Sequence, residues 1–96
     1  MNIFISYTLR DNCLTLSDFN KIIELLPSHN VFIHFLNPQI TSHEEIKEKI
    51  IQSDLILLIK TIATYQSEWV ISELKIANNA KIPIFFIHHD VLRSVI

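Results

Sequence analysis

"IKEKIIQSDLILLI", residues 46–59, decides the fold. Its first half places Ile46, Ile50 and Ile51 at helical spacing, with Lys47, Glu48 and Lys49 between them on a solvated face. Ser42 with Glu45 forms a capping-box pattern just upstream, so a helix is predicted to start there and end near Gln52. The second half, Leu55 to Ile59, is continuously apolar between Asp54 and Lys60. A run that short, apolar at every position rather than at every second one, reads as a strand covered on both faces. A helix feeding directly into a doubly covered strand is the repeating unit of a parallel sheet.

The same alternation extends both ways. "IFISY" (3–7), "VFIHFL" (31–36) and "IPIFFI" (82–87) are short runs rich in β-branched and aromatic residues, and read as further buried strands. Between the first two, Leu16, Phe19, Ile22, Ile23 and Leu26 recur at helical spacing opposite Asp18, Lys21 and Glu24, with Pro27 as the stop. A third helix lies between "LILLI" and "IPIFFI", capped by Thr64 or Ser67. The expectation is an α/β, flavodoxin-like three-layer sandwich. It has a four-stranded parallel sheet in the order 2-1-3-4, right-handed crossovers, and Ile5, Ile56 and Ile84 buried.

Composition narrows the function classes. The 96 residues form one domain, and 49% hydrophobic content is ample for a core. The formal charge of −2, with Lys and Arg scattered, offers no basic face for a nucleic-acid backbone. Cys13 is the single cysteine, so no internal disulfide is expected, and no base stands beside it to make it a nucleophile. The N-terminal stretch lacks the pattern of a signal peptide, and no apolar run is long enough to span a bilayer. A soluble, reducing, cytoplasmic setting is therefore expected. There is no glycine, where average usage would give roughly seven, which excludes a P-loop and a Gly-rich dinucleotide turn. Left-handed turn positions are then expected at asparagine: Asn12, Asn30, Asn37 and the Asn78-Asn79 pair.

One charged residue is out of place. With Trp69 at zero on a helical wheel, Ala80, Ala77, Val70, Leu74 and Ile76 fall between about 340° and 140°, and Glu73 falls at about 40°, inside that apolar arc. Glu68, Lys75, Ser72 and Asn79 cluster on the opposite side, at roughly 240–300°. In open parallel sheets, ligands bind beyond the carboxyl ends of the strands where neighbouring crossovers diverge to opposite faces. For the order 2-1-3-4 that point lies between the first and third strands, flanked by Ser6 to Thr8 and by Thr61 to Ser67, and Glu73 faces it. The bland reading pairs Glu73 with Arg10 or Lys60 in a structural ion pair, and puts Trp69 in the core. His88 and His89 point to opposite faces of a strand, and His34 and His43 lack partners at ligand spacing, so no metal site is expected.

"IFISYTLRD", "IKEKIIQSDLILLI", and "SEWVISEL" followed by "KIPIFFI" resemble the Toll/interleukin receptor (TIR) domain family. The family pattern runs hydrophobic-F-I-S-Y near the start, I-x-x-S before the third strand, and S-x-W-x-x-x-E-L in the next helix. The resemblance spans nearly the whole of residues 1–96. It identifies a minimal or truncated member, lacking the family's last helix, strand and helix, with His34 where an acidic residue is usual. It implies that Glu73, the glutamate of W-x-x-x-E, is the catalytic residue for cleaving the nicotinamide–ribose bond of NAD, by hydrolysis or cyclisation. Ser6, Tyr7, Trp69 and Arg10 are then the substrate-binding candidates. NAD or a related nucleotide is the substrate, and neither cofactor nor metal is implied. Such a domain would act in a defence or signalling pathway and associate with itself or with other TIR-like domains.

The chemistry suits the residue type. Loss of neutral nicotinamide from the ribosyl carbon passes through an oxocarbenium-like transition state, which a carboxylate stabilises by charge and by hydrogen bonds to ribose hydroxyls. The alternative is a non-catalytic TIR-like protein–protein interaction module, binding through helix faces and the loop from Pro38 to Thr41. A phosphoacceptor on a similar sheet would need clustered acids after the first strand and an aspartate ending the third, where Ser6-Tyr7 and Lys60 stand. Without the family's last strand, "IPIFFI" becomes an apolar sheet edge, so self-association is expected.

Overall fold

The structure is a computed structural model that describes residues 1–10 and 14–94, the side chain of Arg93 apart. Asn12, Cys13, Val95 and Ile96 lie outside the described residues, and with them the expectations placed on Asn12 and Cys13. Four parallel strands, β1 (Asn2–Ser6), β2 (Asn30–Phe32), β3 (Leu55–Lys60) and β4 (Ile84–His88), form one sheet in the order β2-β1-β3-β4. Helices α1 (Leu16–Leu25), α2 (His43–Ile51), α3 (Glu68–Asn79) and α4 (His89–Ser94) complete the fold. This is the α/β arrangement the apolar runs predict.

Two core clusters divide the sheet. On one face Phe19 and Ile22 of α1 and Leu92 of α4 pack with Ile3, Ile5 and Ile59. On the other, Ile46 and Ile50 of α2 and Ala77 of α3 pack with Phe4, Ile56 and Ile82. The crossovers after β1 and β3 therefore leave to opposite faces, which puts the switch point between those two strands.

The helix ends follow local chemistry. Thr15 and Asp18 form a reciprocal capping box on α1, each side chain bonding the other's main chain. Ser42 accepts from the N–H groups of Glu44 and Glu45 at the start of α2. Ser67 caps α3 by accepting from Val70, while Thr64 belongs to a short 3₁₀ turn, Thr64–Gln66.

Several expectations are corrected. The run 31–36 is not one strand: pairing stops at Phe32, and His34–Leu36 form a 3₁₀ turn. The Asn37 side-chain amide donates to the Ile33 carbonyl at 2.8 Å, and Phe35 turns back onto Phe19, ring centroids 5.2 Å apart. Ile84 is not buried. It is 37% exposed, with Phe85 at 56% and Phe86 at 61%, because β4 is an edge strand paired on one side alone, with only Ile87 of the strand packed against a core cluster. No asparagine takes a left-handed conformation among the described residues; Lys81 does, at φ 59°. It sits just past α3 in a Schellman closure, where Ile82 N–H bonds the Ala77 carbonyl and Lys81 N–H bonds the Asn78 carbonyl. Ile82 and Ala77 meet in the core, and that contact fixes the left-handed residue at position 81 whatever its side chain. A further correction, Trp69, concerns the site. The short helix α4, not anticipated, starts at His89, so His88 ends β4 while His89 opens a helix and the two do not alternate on one strand as expected; it is tied down by Leu92 in the core and by His89 Nδ1, 3.4 Å from the Lys60 carbonyl. No helix among the described residues is long and apolar enough to cross a membrane.

Candidate functional site around Glu73

Ser6 is the last residue of β1 and is wholly buried; its side chain leaves the sheet on the α2/α3 side. Glu73 lies in the second turn of α3 on the face turned to the sheet, as the wheel requires, and is 5% exposed. The two meet at the switch point: Ser6 Oγ donates to Glu73 Oε1 at 2.8 Å. The Trp69 side chain, one helical turn earlier, also hydrogen-bonds Glu73. Its indole N–H is the group able to donate.

No cation pairs with this carboxylate among the described residues. Arg10, a proposed partner, donates from Nη1 to the Gln66 carbonyl at 3.0 Å. Lys60, the other, lies over the rings of Phe86 and Tyr65 at 4.6 and 5.3 Å. The ion pair found joins His89 and Asp90. Burial therefore dominates: the Glu73 pKa is pushed up from 4.5 to about 7, with the Ser6 and Trp69 hydrogen bonds pulling the other way. At neutral pH the group is poised between acid and carboxylate.

Tyr7 follows Ser6, half-buried against Phe19 with ring centroids 4.7 Å apart. Burial pushes its phenol up to about 12; a hydrogen bond to the Phe35 main chain opposes the rise and the Glu73 charge adds to it. The hydroxyl stays protonated at neutral pH. The 3₁₀ turn that ended β2 early is what supplies Phe35 to this site.

Trp69 is not core. It is 41% exposed, one face stacked on His34 at 6.2 Å between centroids and an edge against His43 at 5.8 Å. His34 is itself held by a hydrogen bond between Nε2 and the Ile40 carbonyl, so the loop after β2 is clamped against the indole. Of the residues singled out in the sequence, Ser6, Trp69 and Glu73 come together through hydrogen bonds, whereas Tyr7, next to Ser6 in the chain, packs with Phe19 on the α1 face of the sheet. Arg10 stays at the rim, exposed, its guanidinium on the loop before α3.

His34 and His43 were missed as neighbours of Trp69, since nothing in their spacing relates them to it. Buried Thr8 and Thr64 at the same end of the sheet, and the buried Thr61 hydroxyl, which has no hydrogen-bond partner among the described residues, were equally invisible. Two cavities, about 490 and 480 Å³, lie elsewhere. One opens at the amino ends of β1 and β2 around Asn2, Asn30 and Lys49, the other on the outer groove between α2 and α3. Neither is lined by Glu73. Among the described residues no group of three or more His, Cys, Asp or Glu could hold a metal ion. Comparison with protein-family models finds no match, and comparison with curated proteins finds none either.

Proposed function

We propose that the chain is a TIR-like domain whose Glu73 carboxylate cleaves the nicotinamide–ribose bond of NAD. What carries the reading is a carboxylate buried at the switch point of a parallel sheet, held by a hydroxyl and an indole and by no described cation. A structural carboxylate in that position would be expected to sit in an ion pair.

The residues divide the work as follows. The bond from ribose C1′ to the pyridinium nitrogen breaks, its electron pair leaves on nitrogen, and neutral nicotinamide departs. Ionised Glu73 faces the oxocarbenium-like carbon and accepts hydrogen bonds from ribose hydroxyls. Ser6 orients the carboxylate, the exposed indole of Trp69 offers a flat surface to a ring, and Tyr7 offers a donor. Water captures C1′ and releases a proton, or a nitrogen of the adenine does so and gives a cyclic product. Because Glu73 is nearly covered, substrate entry requires the Trp69 indole and the 37–42 loop clamped on it to swing aside.

That coverage is the observation favouring the second reading, a non-catalytic interaction module. Incubating the wild type and Glu73→Gln with NAD and following free nicotinamide separates the two. Release by the wild type and none by the variant supports catalysis. No release by a folded wild type, at low or high protein concentration, refutes it.

A further inference from the structure

We propose that His34 and His43 are positioning residues: their rings hold the Trp69 indole so that its N–H faces Glu73 and braces the carboxylate. The inference deepens the reading of Glu73 as the working group and rests on it. Its test reads the ionisation of Glu73 and not turnover, so either can fail without the other.

Nothing within α3 fixes the indole. Trp69 stands in the first turn of the helix, exposed, and belongs to neither core cluster. A side chain so placed has two free torsions and several staggered rotamers, and few of these bring Nε1 to a carboxylate one turn further on. The constraint comes from outside the helix. His34 stacks on the indole with ring planes 22° apart and centroids at 6.2 Å, and His43 meets it at 76° and 5.8 Å. A stack and an edge contact on the same ring oppose rotation about both torsions.

Each histidine is itself anchored. Ile33, just before His34, is wholly buried, and Nε2 of His34 is hydrogen-bonded to the Ile40 carbonyl. A carbonyl only accepts, so Nε2 carries the proton and the ring orientation is set. His43 is the first residue of α2, directly after the Ser42 cap, and buried Ile46 seats that helix on the sheet. The indole is thus held between the end of β2 and the start of α2.

The consequence falls on Glu73. Two donors, Ser6 and Trp69, favour its charged form against the burial that disfavours it. A donor free to change rotamer must be ordered when the proton leaves, whereas one already in place needs no reorganisation. The other charged groups near His43 stand apart from this bond. Glu44 and Lys47 of α2 and Glu68 and Lys75 of α3 line the outer groove with it, and among the described residues none forms an ion pair with either imidazole.

Carboxyl-carbon resonances of the carbon-13-labelled chain, with Glu73 identified by its loss in Glu73→Gln, follow its ionisation across the neutral range. Trp69→Phe keeps a ring and deletes the N–H, and should make Glu73 about three- to tenfold harder to ionise, the worth of one hydrogen bond. His34→Ala and His43→Ala should each move it the same way, by about twofold or more, and His34→Phe, which keeps a ring on the indole, by less. In the Trp69→Phe background His34→Ala should move it no further, because its effect passes through the indole N–H. His43 is exposed and its removal spares the bond from His34 to Ile40, so His43→Ala decides if His34→Ala does not fold. Ionisation unmoved by Trp69→Phe, unmoved by the alanine variants that fold, or moved as far by His34→Ala without the indole N–H as with it, overturns the proposal.

Discussion

Replacing Glu73 by glutamine should change stability in a pH-dependent way whose sign distinguishes an unpaired carboxylate from an ion-paired one. The folded-state pKa is about 7, against an ordinary value of 4.5. A carboxyl raised on folding binds more protons in the native state than in the unfolded chain between those values. Stability of the wild type therefore falls as pH rises from about 4.5 to about 7, and the full cost is present above that. That difference corresponds to about 3 kcal/mol, an upper figure, because glutamine must also bury an amide. A net gain of about 1–3 kcal/mol at pH 8 raises the melting temperature of a chain this size by roughly 4–20 °C. Below pH 4.5 the two proteins should melt together, both uncharged at this position. Thermal melts of wild type and Glu73→Gln from pH 4 to pH 9, followed by circular dichroism, measure the difference directly. A variant destabilised by about 3–5 kcal/mol at neutral pH would show that Glu73 balances a buried cation, and the reasoning would fail.

Two further outcomes follow from named contacts. Ser6→Ala removes the hydroxyl that donates to Glu73 Oε1, so the carboxylate becomes harder to ionise; the decline in stability should still begin near pH 4.5 but level off at a more alkaline pH than in the wild type, with about 1–2 kcal/mol lost at pH 8. Lys81→Gly relieves a left-handed residue that carries a Cβ and should raise stability by about 0.5–1 kcal/mol, read from urea melts; a loss would mean the Schellman closure does not hold in solution.

The alternation of helices and strands was legible because a parallel strand covered on both faces is apolar nearly throughout, as "LILLI" is at every position and "IFISY" is but for Ser6 and the Tyr7 hydroxyl. "IPIFFI" is as apolar and yet its Ile84, Phe85 and Phe86 are exposed. Composition records what a strand could bury, while edge status depends on strand order, and β4 has a neighbour on one side alone. Glu73 was legible from its own helix, since a wheel locates an inward carboxylate without tertiary information. Its hydrogen-bond donor at Ser6 lies 67 residues away and emerges only once β1 and α3 are placed. The indole of Trp69 faces the same direction on the wheel but is held outward by rings from two other segments, His34 and His43. No periodicity within α3 encodes that. Lys81 was missed for the converse reason: residue preference pointed to asparagine, whereas the Ile82–Ala77 contact chose the position.

The most direct test of the central claim is the pH dependence of nicotinamide release from NAD at saturating protein. If ionised Glu73 is the group that stabilises the departing ribosyl cation, release should climb about tenfold per pH step below pH 7, level off above it, and be absent from Glu73→Gln at every pH. Release that ignores pH between 5 and 9, or that persists in the folded glutamine variant, would contradict the account.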